Sequence, residues 1–185
     1  MRIVAGSRRG LTLEAPEGHT TRPTTDRARE SLFNILAGPK YLGRLRDRSV
    51  ADFFAGSGAV GLEAISRGAA QCHFLETDPG ALQVLRRNIT RMKDAATACH
   101  VLTQDATRPP RARDACGLLF LDPPYDVDAA ATALTAAISA GWMADDGLAV
   151  VQVHPKRDFS VPDGLEQVDD RKYGATRFLF LERQG

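Results

Sequence analysis

Residues 119–127, LFLDPPYDV, place an acid, two prolines and an aromatic ring directly after an apolar run. Asp122 and the Pro123 carbonyl offer two hydrogen-bond acceptors. The Pro123-Pro124 pair limits how far they can wander, because each ring fixes its own φ. Tyr125 adds a flat face. Two acceptors converging beside an aromatic ring suit an exocyclic amino group on a planar base: its N–H bonds point at the acceptors while the base stacks. The plain alternative is a strand terminator followed by a turn. The tetrapeptide is short, so its weight depends on its surroundings.

Three other stretches carry residues of the same kind. DFFAGSGAVG, residues 52–61, opens with Asp52 and holds Gly56, Ser57 and Gly58. Gly56 and Gly58 allow positive φ and a close approach of backbone to a ligand. The stretch is neither the full dinucleotide fingerprint, which needs a third glycine, nor a phosphate-binding loop, which needs a Lys-Ser/Thr pair. FLETDP puts Glu76, with Thr77 beside it, 20 positions after Gly56. An acid at that spacing suits the ribose hydroxyls of a nucleoside cofactor. In LTQDA, Asp105 is placed to accept from an adenine amino group. Each alone is an ordinary loop residue; four at successive strand ends make a pattern.

The elements that must position them follow from periodicity. SVADFF, QCHFLE, ATACHVL, CGLLFL and GLAVVQV read as strands, alternating with helices in GAVGLEAISRG, DPGALQVLRRNITRM and VDAAATALTAAISA. Strand–helix alternation predicts an α/β chain with a mostly parallel sheet and helices on both faces. In such a sheet ligands bind beyond the carboxyl ends of the strands, so the four stretches should share one rim. LEQVDDRKYGATRFLFLER predicts a closing antiparallel hairpin turning at Tyr173-Gly174, which brings the sheet to seven strands. In front, residues 1–15 read as a β-hairpin and TTDRARESLFNILA as a helix stopped by Gly38-Pro39. The expected division is 1–40, hairpin and basic helix, followed by 41–185.

Composition narrows the class. With 43% apolar and 25% charged residues, the 185-residue chain is of ordinary globular make-up. It shows no run long enough to span a bilayer and no apolar amino-terminal segment, so a cytoplasmic location is expected. Cys72, Cys99 and Cys116 are odd in number and lie in apolar stretches, and the histidines show no metal-ligand spacing with them. No metal is expected. The net charge of +1 hides a basic front: residues 1–48 hold ten Lys or Arg against five Asp or Glu. That leaves the remainder at −4. Arg8, Arg9, Arg27 and Arg29 are the candidate grips for nucleic-acid phosphates.

Taken together, TRPTTDRARESLFNIL, DFFAGSGAVGLEAISRGA, FLETD, LFLDPPY and RKYGATR, in that order, resemble the small-subunit ribosomal RNA methyltransferase D family, RsmD. The likeness runs end to end. It implies a Rossmann-like class I methyltransferase fold that uses S-adenosylmethionine to methylate a guanine N2 in 16S rRNA, within a small ribosomal subunit or an assembly intermediate. It further implies that Asp52, Gly56, Ser57 and Gly58 line the methionine end of the cofactor, under a cover holding Arg22, Pro23 and Thr24. Glu76 and Thr77 would meet the ribose, and Asp105 with Ala106 the adenine. Asp122, Pro123 and Tyr125 would do the chemistry, Asp122 also bordering the cofactor and Pro124 and Tyr125 facing the RNA base. The sequence departs from the family at Phe53, where an aliphatic residue is expected, and near Gln152, where a glutamate is expected. DNA adenine-N6 or cytosine-N4 methylation, and a non-catalytic RNA-binding relic of the fold, are the alternatives.

Overall fold

CGLLFL is buried along its whole length as strand β4, Cys116–Leu121. An unbroken apolar run of this kind can be covered on both faces, as a central parallel strand must be. The computed structural model describes residues 1–15, 26–123 and 127–185, with Val127 described in its backbone alone. Strands β1 (Ser49–Phe53), β2 (Gln71–Leu75), β3 (Cys99–Leu102), β4, β5 (Met143–Val153), β6 (Leu165–Tyr173) and β7 (Thr176–Arg183) form one sheet among the described residues, ordered β3-β2-β1-β4-β5-β7-β6. The first five are mutually parallel, and β7 pairs antiparallel with both β5 and β6. The expected mostly parallel, Rossmann-like sheet with an antiparallel closing hairpin is therefore present.

Period-two alternation sends side chains to two cores. Val50, Leu118, Phe120, Val150 and Phe180 share one with helices α1 (Asp26–Leu36), α2 (Leu42–Leu45), α3 (Ala59–Ser66) and α4 (Pro79–Arg91). Ala51, Leu119, Leu121, Val151 and Leu181 pack on the other face beneath α5 (Val127–Ser139) and Trp142. Phe53 lies in this second core, edge-on to Trp142 at 5.7 Å, so its departure from the expected aliphatic residue is absorbed by packing.

The front of the chain joins the first core instead of extending the sheet. Residues 1–15 form a narrow hairpin with a single bridge, Arg2 to Thr12, supported by Ile3 N–H to the Leu11 carbonyl at 2.9 Å and Leu13 N–H to Met1 at 3.0 Å. Ile3 and Leu13 are buried against α1 and α3. The hairpin's polar anchor is Glu63, which is fully buried on α3 and accepts from Val4 N–H at 2.8 Å and Ala5 N–H at 3.1 Å. One turn on, the Ser66 hydroxyl accepts from Arg8 N–H at 2.9 Å and donates to the Ala5 carbonyl at 2.6 Å. Gly6 is required here, because a Cβ would lie 1.9 Å from the Ser66 carbonyl oxygen.

The expected grip of Arg29 on RNA is overturned. Its side chain has no exposed surface; it is bonded to the Arg2 carbonyl and, at 2.9 Å, to Asp26, with Glu63 at 3.8 Å. Arg27 is exposed. Two residues apart on an α-helix means about 200° of rotation, so these two arginines must face opposite ways.

Candidate active site

The chain order places the sheet's topological switch between β1 and β4: from β1 the strands run outward through β2 and β3, then the chain returns to start β4 on the other side. Crevices at such points hold ligands in open α/β sheets. The strand ends are level there. Phe53 pairs with Leu75 and with Leu121, and Leu75 with Leu102. The ladder continues past them, with Ala55 N–H to Leu75 at 3.0 Å, Glu76 N–H to Leu102 at 3.2 Å and Asp122 N–H to Phe53 at 3.4 Å. Glu76 and Asp122 thus flank the end of β1, one strand away on either side. At about 4.8 Å per strand the two stand roughly 10 Å apart.

Phe54, at φ +63, makes the exit from β1. A bulky residue in the left-handed region is unusual and marks an imposed turn. Beyond it, Gly56 and Gly58 also have positive φ, but they do different things. A Cβ on Gly58 would lie 2.3 Å from Leu85 and 3.3 Å from Phe74, and its N–H is bonded to the Ala55 carbonyl at 2.7 Å. Gly58 lets the turn pack on the core. At Gly56 no described atom lies within 4 Å of a Cβ position, so its open side is the one that can admit a ligand. Its N–H donates to Glu76 Oε2 at 2.8 Å, while Glu76 Oε1 accepts from Thr77 N–H at 2.7 Å and Asp78 N–H at 2.9 Å. These bonds hold the carboxylate at the lip of the glycine turn, with acceptor capacity left for hydroxyls.

Asp52 sits beneath. Its Oδ2 accepts from Gly61 N–H at 2.9 Å, tying β1 to the start of α3. Burial pushes its carboxyl well above the usual range; the Gly61 bond opposes this, and the charges of Asp122 and Glu76 push it further up. Asp52 thus lies between the ends of β2 and β4, beneath Glu76 and Asp122. Such a crevice favours a positively charged guest. Asp105, exposed past β3, accepts from the Thr107 N–H and hydroxyl, both at 2.8 Å, which lower its pKa. Ala106 is buried below it. Ser57 is nearly buried, its hydroxyl 3.5 Å from the Met1 sulfur.

Asp52, Gly56, Ser57, Glu76, Thr77, Asp105, Asp122 and Pro123 thus belong to one rim. Arg22, Thr24, Pro124 and Tyr125 lie outside the described residues. Arg8 and Arg9 are not on the rim. Their turn is fixed to Ser66, at the far end of α3, and eight residues of helix carry the chain about 12 Å back toward the amino ends of the strands. Arg8 pairs there with Asp94.

One site residue escaped the sequence reading. Asn88, wholly buried on α4, donates to the Ser57 carbonyl at 2.9 Å and the Glu14 carbonyl at 3.1 Å, and accepts from Glu14 N–H at 2.8 Å. It fastens the glycine turn to the chain leaving the hairpin. An amide falling on the apolar stripe of Ala81, Leu85 and Met92 was the available signal.

A family model described as Conserved hypothetical protein 95 matches residues 1–182. Ribosomal RNA small subunit methyltransferase D of Escherichia coli is 36% identical over 191 residues, covering 100% of this chain and 90% of its own length. The E. coli protein yhhF has a solved structure that superposes with a TM-score of 0.84 at 30% identity, covering 100% of this chain and 98% of its own. The rRNA methyltransferase aviRa of Streptomyces viridochromogenes shares the fold, with a TM-score of 0.66 at 18% identity over 92% of this chain and 88% of its own. The chain belongs to the small-subunit ribosomal RNA methyltransferase D family.

Proposed function

We propose that the protein transfers a methyl group from S-adenosylmethionine to the exocyclic N2 amine of a guanine in small-subunit ribosomal RNA. The observation that carries this reading is the adjacency of the glycine turn after β1 and Asp122-Pro123 after β4, on neighbouring strands at the switch point. A direct transfer needs donor and acceptor sites on one rim, close enough for an in-line approach. Membership of the family and the E. coli relative's name support ribosomal RNA as substrate.

Glu76 takes the ribose hydroxyls, Asp105 the adenine amine, and the open side of Gly56 admits the ligand's close approach. Glu76 and Asp122, on either side of the end of β1, give the crevice its preference for a cation. When bound, S-adenosylmethionine supplies a methyl made electrophilic by its sulfonium. Asp122 and the Pro123 carbonyl accept hydrogen bonds from the two amine hydrogens, which favours a more tetrahedral nitrogen and a lone pair aimed at the donor. The same acceptors stabilise the positive charge that grows on nitrogen. Fixed positioning contributes about 7–11 kcal/mol in well-oriented systems. The proton leaves to water after transfer. Arg22 and Thr24 belong to the proposed cofactor cover, and Pro124 and Tyr125 to the proposed base platform. The exposed Arg9 and partly buried Arg8, away from the rim, and the exposed Arg27 on α1 remain proposed contacts for RNA.

Two variants test the assignment. Asp122→Ala should lower methyl transfer by about a hundred- to a thousandfold, the range for a lost transition-state hydrogen-bond partner, while calorimetry still records cofactor binding. Glu76→Ala should weaken cofactor affinity by about tenfold or more, through loss of charge-assisted hydrogen bonds. Near-normal turnover in the first, or unchanged affinity in the second, removes that residue from the site.

A further inference from the structure

If transfer occurs at the switch point, the cofactor occupies the β1-β2-β3 half of the rim, and the RNA flanking the target base must cross the other half, β5-β7-β6. This inference rests on the proposed function. The sequence put its candidate grips at the front of the chain, yet the hairpin tip holding Arg8 and Arg9 lies toward the opposite end of the sheet. The motif RKYGATR, residues 171–177, had no role in that reading.

The register locates it. Leu121 pairs with Val151, so the end of β5 is one strand from Pro123. Val153 pairs with Arg177, and Lys172 with Arg177, which brings the β6–β7 turn to the same rim. At about 4.8 Å per strand, Arg177 and Lys172 lie roughly 10–15 Å from the β4 end. The turn after β5, His154-Pro155-Lys156-Arg157, is closed by Arg157 N–H to the His154 carbonyl at 3.0 Å.

This turn is built in place. Arg177 donates through Nε and Nη2 to Asp170, at 3.0 and 2.6 Å, and through Nη1 to the Arg157 carbonyl at 3.3 Å. Arg177 is therefore a strut, with its charge met by Asp170. Arg171 is likewise engaged by Asp169 at 3.0 Å. Lys156, Arg157 and Lys172 remain, all exposed and in none of the salt bridges among the described residues. Cations held on a fixed turn beside an acceptor pair for an amine are what a polynucleotide backbone requires: the phosphates set register while the pocket reads one base.

We propose that Lys156, Arg157 and Lys172 form a phosphate-binding strip for the RNA segment flanking the target base, held in position by the Asp170–Arg177–Arg157 strut.

The test is the triple variant Lys156→Glu, Arg157→Glu, Lys172→Glu, alongside wild-type protein on small ribosomal subunits lacking the modification. Its circular dichroism and S-adenosylmethionine affinity should match wild type, because none of the three is buried or touches the cofactor half, and the thermal midpoint should fall only slightly, since Lys172 adds a little to the hold on Asp170. The KM for the subunit should rise by about tenfold or more, and the slope of log affinity against log salt should shrink by about two. A variant with unchanged KM and salt slope, beside an active wild type, overturns the strip and leaves the proposed reaction standing. A wild type that methylates no RNA removes the reaction itself. Neutral variants, Lys156→Gln with Arg157→Gln and Lys172→Gln, should show a smaller rise in the same direction; no rise in them counts against phosphate contact.

Discussion

Asp52 is a carboxyl with no exposure to speak of, one backbone donor, and two like charges for neighbours. Its folded pKa lies above its unfolded value. The stability linked to it is therefore complete below about pH 4 and declines as pH rises through the folded pKa. Asp52→Asn keeps an acceptor for Gly61 N–H and removes the titration. The fall in thermal midpoint as pH rises above about 4 should shrink in this variant, while S-adenosylmethionine affinity changes little, because a carboxyl whose ionisation burial disfavours contributes little charge to the crevice. A variant with the wild-type pH dependence would show that the burden lies elsewhere. Asp52, Glu76, Asp105 and Asp122 were legible because acids ending strands stand out in a sequence. Asn88 and Glu63 were not: a polar residue inside a helix reads as solvent-facing until the backbone it serves is known. Arg27 and Arg29 show the same limit, since composition cannot say which of two neighbouring arginines turns inward.

At the scale of elements, the stretch GSGAVGLEAISRGA has a division of labour that its motif form concealed. Gly56 opens the ligand side of the turn and Gly58 seats it on Leu85. A Cβ on Gly61 would lie 2.3 Å from Phe74 and 2.5 Å from Cys72, so Gly61 lets α3 lie close on β2. Glu63 and Ser66 dock the amino-terminal hairpin, and Arg67 closes on Glu63 at 2.7 Å. Most of the motif is thus structural. Glu63→Ala leaves Arg29 buried with less compensation and strands two amide donors, a loss of about 3–5 kcal/mol by analogy with other broken buried ion pairs. Urea unfolding measures it. A change near zero would mean that Ile3 and Leu13 hold the hairpin without a polar anchor. The helix α2 and the early start of β5 were missed for local reasons. Four residues, LGRL, carry too little period to register, and Asp145-Asp146-Gly147 reads as a turn. In the fold it is a bulge between the pairs Cys116–Met143 and Leu118–Leu148, pinned where Arg48 holds Asp146 at 2.8 and 3.0 Å.

The molecule as a whole has an asymmetric plan. Among the described residues four α-helices and the hairpin cover one face of the sheet and α5 the other, while the proposed function divides the rim at β1/β4 into a cofactor half and an RNA half. The alternation of strands and helices predicted the sheet, but strand order was beyond it, and strand order is what sets the glycine turn beside Asp122. The proposed strip adds RNA contacts beside the rim, in the turn after β5 and on β6, because burial removes Arg29 and the hairpin tip holding Arg8 and Arg9 lies toward the other end of the sheet. The proposed methyl transfer from S-adenosylmethionine to a guanine N2 has a direct test. Purified protein should be incubated with methyl-labelled cofactor and small ribosomal subunits from cells lacking it, and the rRNA digested for nucleoside mass spectrometry. N2-methylguanosine is expected at one position, strongly reduced with Asp122→Ala; label on another atom, on DNA in preference to RNA, or nowhere would overturn the proposed reaction.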